Sequence, residues 1–265
     1  MTRDDDRGAP EPVAPSDDLG EPVFLATPPR RIVSLVPSLT EAVASVDVRL
    51  IAGATDYCTH PATLQVPRVG GSKYPSVDAV VAIEPDLVLA NVEENRRADV
   101  EALRAAGVPV WVTYPRTLAD AFTSLRRMFV AIGVTEPAWL AAAERSWAAP
   151  PTTVARRALV PVWRRPWVVL GSDTFAGDVL ARLGVAHLYA DAPDRYPRPT
   201  VDELRDRAPD LLVLPDEPYA FTAVDGPETF PGVRYALVSG RHLTWYGPSL
   251  AEARGVLSAQ LAAAT

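Results

Sequence analysis

Chemistry in this chain has few side chains to draw on. The 265 residues hold three histidines and one cysteine, and Cys58 and His60 stand together in Tyr57-Cys58-Thr59-His60. A thiol and an imidazole are metal-ligand types, but a closed zinc site needs four ligands and no second Cys or His pair accompanies these two. What they can offer is one axial ligand to a metal already held by a macrocycle, with His60 the first choice and Cys58 the second. His187 and His242 have no Ser or Cys nucleophile beside them, and no G-x-S-x-G, P-loop or H-E-x-x-H pattern occurs. Glu93 and Glu94 can serve as a general acid and base, yet followed by Asn95-Arg96-Arg97 they also read as a solvated loop or helix start.

The larger signal is collective. Tyr57, the Ser72-Lys73-Tyr74 loop and Tyr114-Pro115-Arg116 follow strand-like runs in the first half, and Trp163-Arg164-Arg165-Pro166-Trp167, Tyr196, Tyr219-Ala220-Phe221 and Trp245-Tyr246 lie in the second. Aromatic rings give large contact area for little entropy, and arginines fix carboxylate, phosphate or amide groups. Any one of these rings can simply cap a core; together they outline a ligand surface. Trp111 falls inside a strand-like run and Trp139 and Trp147 inside a helical segment, so those three read as core.

Loops that converge in this way need elements to hold them. Each half opens with a β-branched strand feeding a helix, RIVSLVPSLTEAVASV in the first and ALVPVWRRPWVVLGSDTFAGDVLARLGV in the second. LIAGAT, DLVLA and VPVWVTY then alternate with helical segments, as LLVLP and YALVSG do later. Continuous apolar strands separated by helices indicate parallel sheets covered on both faces, whose ligands sit beyond the carboxyl ends of the strands. VDAVVAIEPDLVLA and VDELRDRAPDLLVLP repeat one helix, Pro-Asp, strand pattern, with Asp78 and Asp202 separated by 124 residues and Pro85 and Pro209 by the same interval. The expected fold is therefore α/β, two Rossmann-like lobes with parallel sheets bridged by a linking helix. Its boundaries are expected at 1–27 for a disordered acidic tail, 28–134 and 152–265 for the lobes, and 135–151 for the linking helix, which Pro150-Pro151 stop. Ahead of that helix, Leu118, Phe122, Leu125, Phe129 and Ile132 recur at helical spacing.

The formal charge of −7 is local rather than global. Residues 1 to 22 hold seven acids against Arg3 and Arg7, which is −5 and leaves about −2 for the body. A body so nearly neutral gives no electrostatic case for nucleic acid. No apolar stretch approaches the roughly 18 to 20 residues of a membrane helix. The opening MTRDDDRGAPEPVAPSDDLG has no basic start or apolar core of a secretory signal. As written, the chain is expected in the cytoplasm, and outside it if the true start lies upstream.

These motifs together resemble the class III, helical-backbone solute-binding proteins of iron and cobalamin ABC importers, in particular the cobalamin-binding branch. The resemblance covers residues 30 to about 262 and rests on RIVSLVPSLTEAV, Tyr57 with His60-Pro61, VPRVGG, VDAVVAIEPDLVLANVEENR, GVPVWVT, the Arg-Tyr-Pro before Thr200, the second Pro-Asp-Leu-Leu-Val-Leu and LTWYGPSLAEA. It implies a non-enzymatic protein without an intrinsic cofactor, which holds a cobalamin or other corrinoid between its lobes for an ABC importer permease or for intracellular handling. It implies cleft contacts from Tyr57, Cys58, His60, Tyr74, Arg116, Trp163, Arg164, Trp167, Tyr196, Trp245 and Tyr246, and docking of the permease by Asp78 and Asp202. A ferric siderophore or haem is the alternative ligand, suited to Arg116, Arg164, Arg165 and Arg198. A metal-chelatase-like enzyme on the same fold is the alternative of a different class.

Overall fold

The computed structural model describes residues 14–149 and 156–265. Residues 1–13 of the expected tail and the Pro150-Pro151 stop lie outside the described residues.

In the first half β1 (Ile32–Ser34), α1 (Pro37–Asp47), β2 (Ile51–Ala54), α2 (Val77–Ala82), β3 (Leu87–Asn91), α3 (Arg97–Ala105) and β4 (Val110–Thr113) alternate, and α4 (Leu118–Ala131) and α5 (Ala138–Trp147) follow. The second half runs β5 (Arg156–Leu159), β6 (Pro161–Arg164), β7 (Trp167–Val169), α6 (Phe175–Arg182), β8 (Val185–His187), α7 (Val201–Asp206), β9 (Leu211–Pro215), β10 (Arg234–Val238), α8 (Gly240–Thr244) and α9 (Leu250–Ala262). Two parallel four-stranded sheets result, ordered β2-β1-β3-β4 and β8-β5-β9-β10, with β6 and β7 as a separate antiparallel pair. Setting that pair aside, each sheet places its second strand outside its first and then continues through its third and fourth. β3 and β9 are buried at every residue, as parallel strands with helices on both faces must be.

The interval of 124 residues governs more than the Pro-Asp motif. It separates the starts of β1 and β5, α2 and α7, β3 and β9, and β4 and β10. Glu84 and Ala208, the residues before Pro85 and Pro209, both take the left-handed backbone, at φ 51° and 46°. A left-handed residue ends a helix and the proline behind it cannot resume one, so both halves stop the helix and launch the central strand alike. Helix starts are also matched: the Ser76 hydroxyl accepts from Ala79 N–H, and Thr200 forms a reciprocal capping box with Glu203.

Three expectations need correction. The stretch 14–27 is packed rather than disordered, because its acids find donors on the first lobe. The Asp17 carboxylate accepts from the N–H groups of Leu19 and Glu21 at 2.9 and 3.0 Å and pairs with Arg104 at 3.1 Å. Asp18 accepts from Tyr114 N–H at 2.8 Å and Ser124 Oγ at 2.6 Å, and Val23 enters the core. The Trp163 to Trp167 segment is a hairpin rather than a loop, its two strands set antiparallel on either side of the Arg165-Pro166 turn. The third concerns the link, expected over 135–151, where the helix α5 starts only at Ala138, after Pro137. α5 touches both halves: Trp139 Nε1 donates to Ser45 Oγ at 2.8 Å, and Trp147 Nε1 donates to the Leu250 carbonyl at 3.0 Å. The expected face of α4, from Leu118 to Ile132, is buried, and so is Trp111.

Candidate ligand-binding cleft

The carboxyl ends of both sheets face one another, and Tyr246 stands at the centre of the seam. Its hydroxyl accepts from Asn91 Nδ2 at 2.7 Å, at the end of β3, and lies 2.9 Å from Thr113 Oγ1, at the end of β4. Its ring meets Phe175 of α6 edge-on at 5.9 Å. Burial first, and then the charge of Glu94, push the Tyr246 phenol well above its usual range. The next residue must be small, because a Cβ on Gly247 would stand 2.9 Å from the Ser38 carbonyl oxygen of the first lobe.

Around this centre the lobes exchange charges. Arg241 pairs with Glu41, Arg116 with Asp173 at 3.1 Å, and Arg195 with Glu93 at 2.5 Å. His60 meets Trp245 edge-to-face, ring centroids 5.4 Å apart. Next to Glu93 is Glu94, which burial, Glu217 of the second half and the adjoining Glu93 push up to about 8, against the pull of Lys73. Burial and Asp216 likewise raise Glu217, while the Trp245 indole and Arg241 oppose them. A carboxyl surrounded by carboxylates in a desolvated seam holds its proton near neutrality.

The aromatic residues expected to line a cleft divide into three groups. Tyr57 and Tyr74 are well exposed on the first lobe, with Arg96 stacked 4.5 Å over the Tyr74 ring. Trp163 and Tyr196 are partly exposed on the second, Trp163 resting edge-on against Tyr219 at 5.6 Å. Trp245 and Tyr246 are buried in the seam itself. Burial, and then the Glu93 carboxylate, raise the Tyr196 phenol.

Three expected contacts are not placed for ligand. Cys58 is fully buried, its Sγ 3.0 Å from Thr40 Oγ1 and 3.1 Å from Thr55 Oγ1, and burial raises its thiol; it packs the turn instead of facing the cleft. Trp167 is 8% exposed and belongs to the core of the second lobe, stacked on Phe221 at 6.1 Å with Phe230 against its edge. Arg164 is held by Asp225 and Glu228 on its own lobe. His60 is partly exposed, with Nδ1 3.1 Å from Thr59 Oγ1. Among the described residues no three His, Cys, Asp or Glu side chains gather as a metal-ligand set. Asp78 and Asp202 occupy the second position of α2 and α7, exposed, one on each lobe.

Arg195 figures in the sequence only within the Arg-Tyr-Pro before Thr200, and Asp173, Glu41, Arg241 and Glu217 are not singled out by residue type or spacing there. One signal was present: Glu93 and Glu217 are also 124 residues apart, each two residues beyond a central strand.

No protein-family model matches the chain. The vitamin B12-binding protein of Pectobacterium carotovorum is 23% identical over 206 residues, covering 74% of this chain and 75% of that protein. The cobalamin-binding protein of Halobacterium salinarum is 26% identical over 223 residues, 79% of this chain and 60% of that one. Among solved structures, the periplasmic vitamin B12-binding protein of Vibrio cholerae superposes with a TM-score of 0.72 at 15% identity, over 89% of this chain and 98% of that one. The fold is that of the class III solute-binding proteins. A periplasmic heme-binding protein from Roseiflexus sp. RS-1 shares this class III fold, with a TM-score of 0.69 at 20% identity over 87% and 97% of the two chains. No helix among the described residues is long and apolar enough to cross a membrane.

Proposed function

We propose that the chain is a non-enzymatic binding protein that holds a cobalamin or related corrinoid between its lobes, for delivery to an ABC importer or for intracellular handling. The observation that carries this reading is the seam itself. His60 of the first half meets Trp245 of the second, and Tyr246 bonds to Asn91 and Thr113 where β3 and β4 end, while Tyr57, Tyr74, Trp163 and Tyr196 are exposed on their own lobes, in a chain similar along both lobes to proteins named for vitamin B12 binding. Ligands of such sheets lie at that place, and flat rings suit the broad apolar faces of a corrin. Haem or a ferric chelate is the second reading, favoured by the arginines of the seam and by the heme-binding structures that share the fold.

Titration with cobalamin, followed by the visible spectrum and by calorimetry, tests the proposal. Trp245→Ala is expected to weaken binding by roughly tenfold, the usual cost of a well-packed aromatic contact, in addition to a loss of stability from the buried ring, which thermal unfolding measures separately. Trp167→Ala is expected to act on stability instead, because that ring is core. A parent protein that leaves the cobalamin spectrum and heat unchanged while it binds haem would move the reading to the second ligand.

Asp78 and Asp202 carry the proposed docking. Their matched places at exposed helix starts put one carboxylate on each lobe, at a spacing fixed by the shared fold. Reversing both to Lys is expected to abolish stimulation of a partner permease and to leave corrinoid affinity within about twofold, since surface charges far from the ligand contribute little to its binding. Unchanged stimulation would leave the two acids only their favourable interaction with the helix dipole.

A further inference from the structure

Arg195 reaches from the second lobe into the first and is poorly matched by what it finds there. Its Nη2 lies 2.5 Å from Glu93 Oε1, its Nη1 meets the Tyr114 hydroxyl, and its guanidinium stacks 4.9 Å over the Tyr114 ring. Asp173 stands 3.7 Å away but is already engaged by Arg116. Arg195 Nε, Arg195 Nη2 and Glu93 Oε1 are nevertheless all buried without an aligned hydrogen bond. A guanidinium offers a rigid planar fork that a carboxylate or phosphate satisfies with two parallel bonds, and the Glu93 carboxylate touches it off-axis. The two side chains are 21% and 26% exposed, and a partly buried ion pair whose buried atoms have unfilled hydrogen bonds is held weakly, because their desolvation cost is not fully offset.

The backbone fixes the arginine in place. Gly171 N–H donates to the Arg195 carbonyl at 2.8 Å just beyond β7, and a Cβ at Gly171 would stand 2.8 Å from that oxygen and 2.2 Å from the Asp194 oxygen. The main chain that carries the fork is thus fixed, and the Tyr196 hydroxyl shares its partner Glu93.

We propose that Arg195 is an anion subsite of the cleft and that Glu93 occupies it until a ligand arrives, so that a chelate carrying a phosphodiester or carboxylate enters by exchanging its own anion for the Glu93 carboxylate. The proposal rests on the metal-chelate reading above and narrows it to chelates with an anionic arm. Glu93 is then a built-in competitor. Chelates without the anion must open the same pair and gain nothing in return, which makes the pair a selectivity element.

The test uses cobinamide and cobinamide phosphate, corrinoids that differ by the anion alone, and a cobinamide bearing a carboxylate in that position to separate the two anions. The parent is expected to prefer the anionic forms by about tenfold or more, as a desolvated charge-assisted pair allows. Arg195→Met is expected to reduce that preference below about twofold, and Arg195→Lys, which keeps the charge and loses the fork, to fall between. Glu93→Gln is expected to tighten cobinamide phosphate by about fivefold, and that gain should vanish in Glu93→Gln/Arg195→Met, as coupling through one contact requires. A preference that survives Arg195→Met, or a gain that survives without Arg195, overturns the proposal. A second arm needs no corrinoid: inorganic phosphate, followed by the arginine Nε–H resonances, is expected to shift Arg195 in Glu93→Gln at concentrations roughly tenfold below those the parent needs. Equal phosphate titrations of parent and variant overturn the subsite, whereas a phosphate shift with no corrinoid binding would leave the subsite standing and remove the corrinoid reading.

Discussion

Glu94 holds in the folded chain a proton that it gives up in the unfolded one. Its carboxyl moves from an ordinary 4.5 to about 8 on folding, so between those values the folded state binds more protons than the unfolded state. Stability therefore falls as pH rises through this window; the penalty is absent below about 4.5 and complete above about 8. Glu94→Gln removes the charge without changing the shape. Thermal unfolding is expected to give similar midpoints for parent and variant near pH 5 and a higher midpoint for the variant near pH 9. An offset that stays constant from pH 5 to 9 would show that the carboxyl titrates as an exposed one. His60 is the residue of the proposed site with a spectroscopic signature. An imidazole lone pair can coordinate cobalt, so with a corrinoid lacking its own lower base the visible bands of the bound parent should differ from those of bound His60→Ala. Identical spectra from the two proteins would remove His60 as an axial ligand. Sequence adjacency placed Cys58 beside His60 but could not say that the thiol turns inward to Thr40 and Thr55. It also could not pair Arg195 with Glu93, because contacts between side chains about a hundred residues apart depend on how the lobes meet.

At the scale of elements, much was legible because it is locally determined. The apolar runs of β3 and β9 and the repeated helix, Pro-Asp, strand pattern use signals within a few residues, and the structure adds to each copy a Ser76 or Thr200 cap and a left-handed Glu84 or Ala208 before its proline. The β6–β7 pair was not legible, since Trp-Arg-Arg-Pro-Trp has the composition of a ligand loop and its pairing is decided by Trp167 entering the core beside Phe221 and Phe230. The packing of 14–27 escaped for a related reason: Asp17 and Asp18 look like solvated charge until Arg104, Arg127 and the β4 backbone are near. The caps allow a quantitative check. Thr200→Ala removes the hydroxyl arm of the capping box, which accepts from Glu203 N–H, keeps the Glu203 carboxylate on the residue 200 N–H, and is expected to cost about 1 kcal/mol in denaturant unfolding. A loss within error of zero would mean that water serves the freed N–H of Glu203 equally well.

For the whole molecule, one core cluster spans the two lobes, beside a second confined to the first lobe and a third, with Trp167, confined to the second. A single cluster of buried apolar side chains runs from Leu39 and Trp111 in the first half through Phe129 and Trp147 to Leu180, Val213 and Leu250 in the second. α5 ties them, with Trp139 bonded to the first lobe and Trp147 to the second. Two lobes joined by a mere linker would unfold separately, whereas lobes that bury one cluster between them should unfold together. Trp147→Ala tests this arrangement most directly. The ring is 2% exposed, and its loss is expected to cost about 3 to 5 kcal/mol, a large part of the stability of an ordinary domain. Because the cavity opens within the shared cluster, tryptophan probes in the first lobe (Trp111) and the second (Trp167) should report one common transition, lowered equally in the variant. A variant in which the Trp167 signal melts early while the Trp111 signal keeps the parent midpoint would show that the lobes are energetically independent, and any closure on ligand would then be a movement of two separate bodies rather than a small adjustment across a common core.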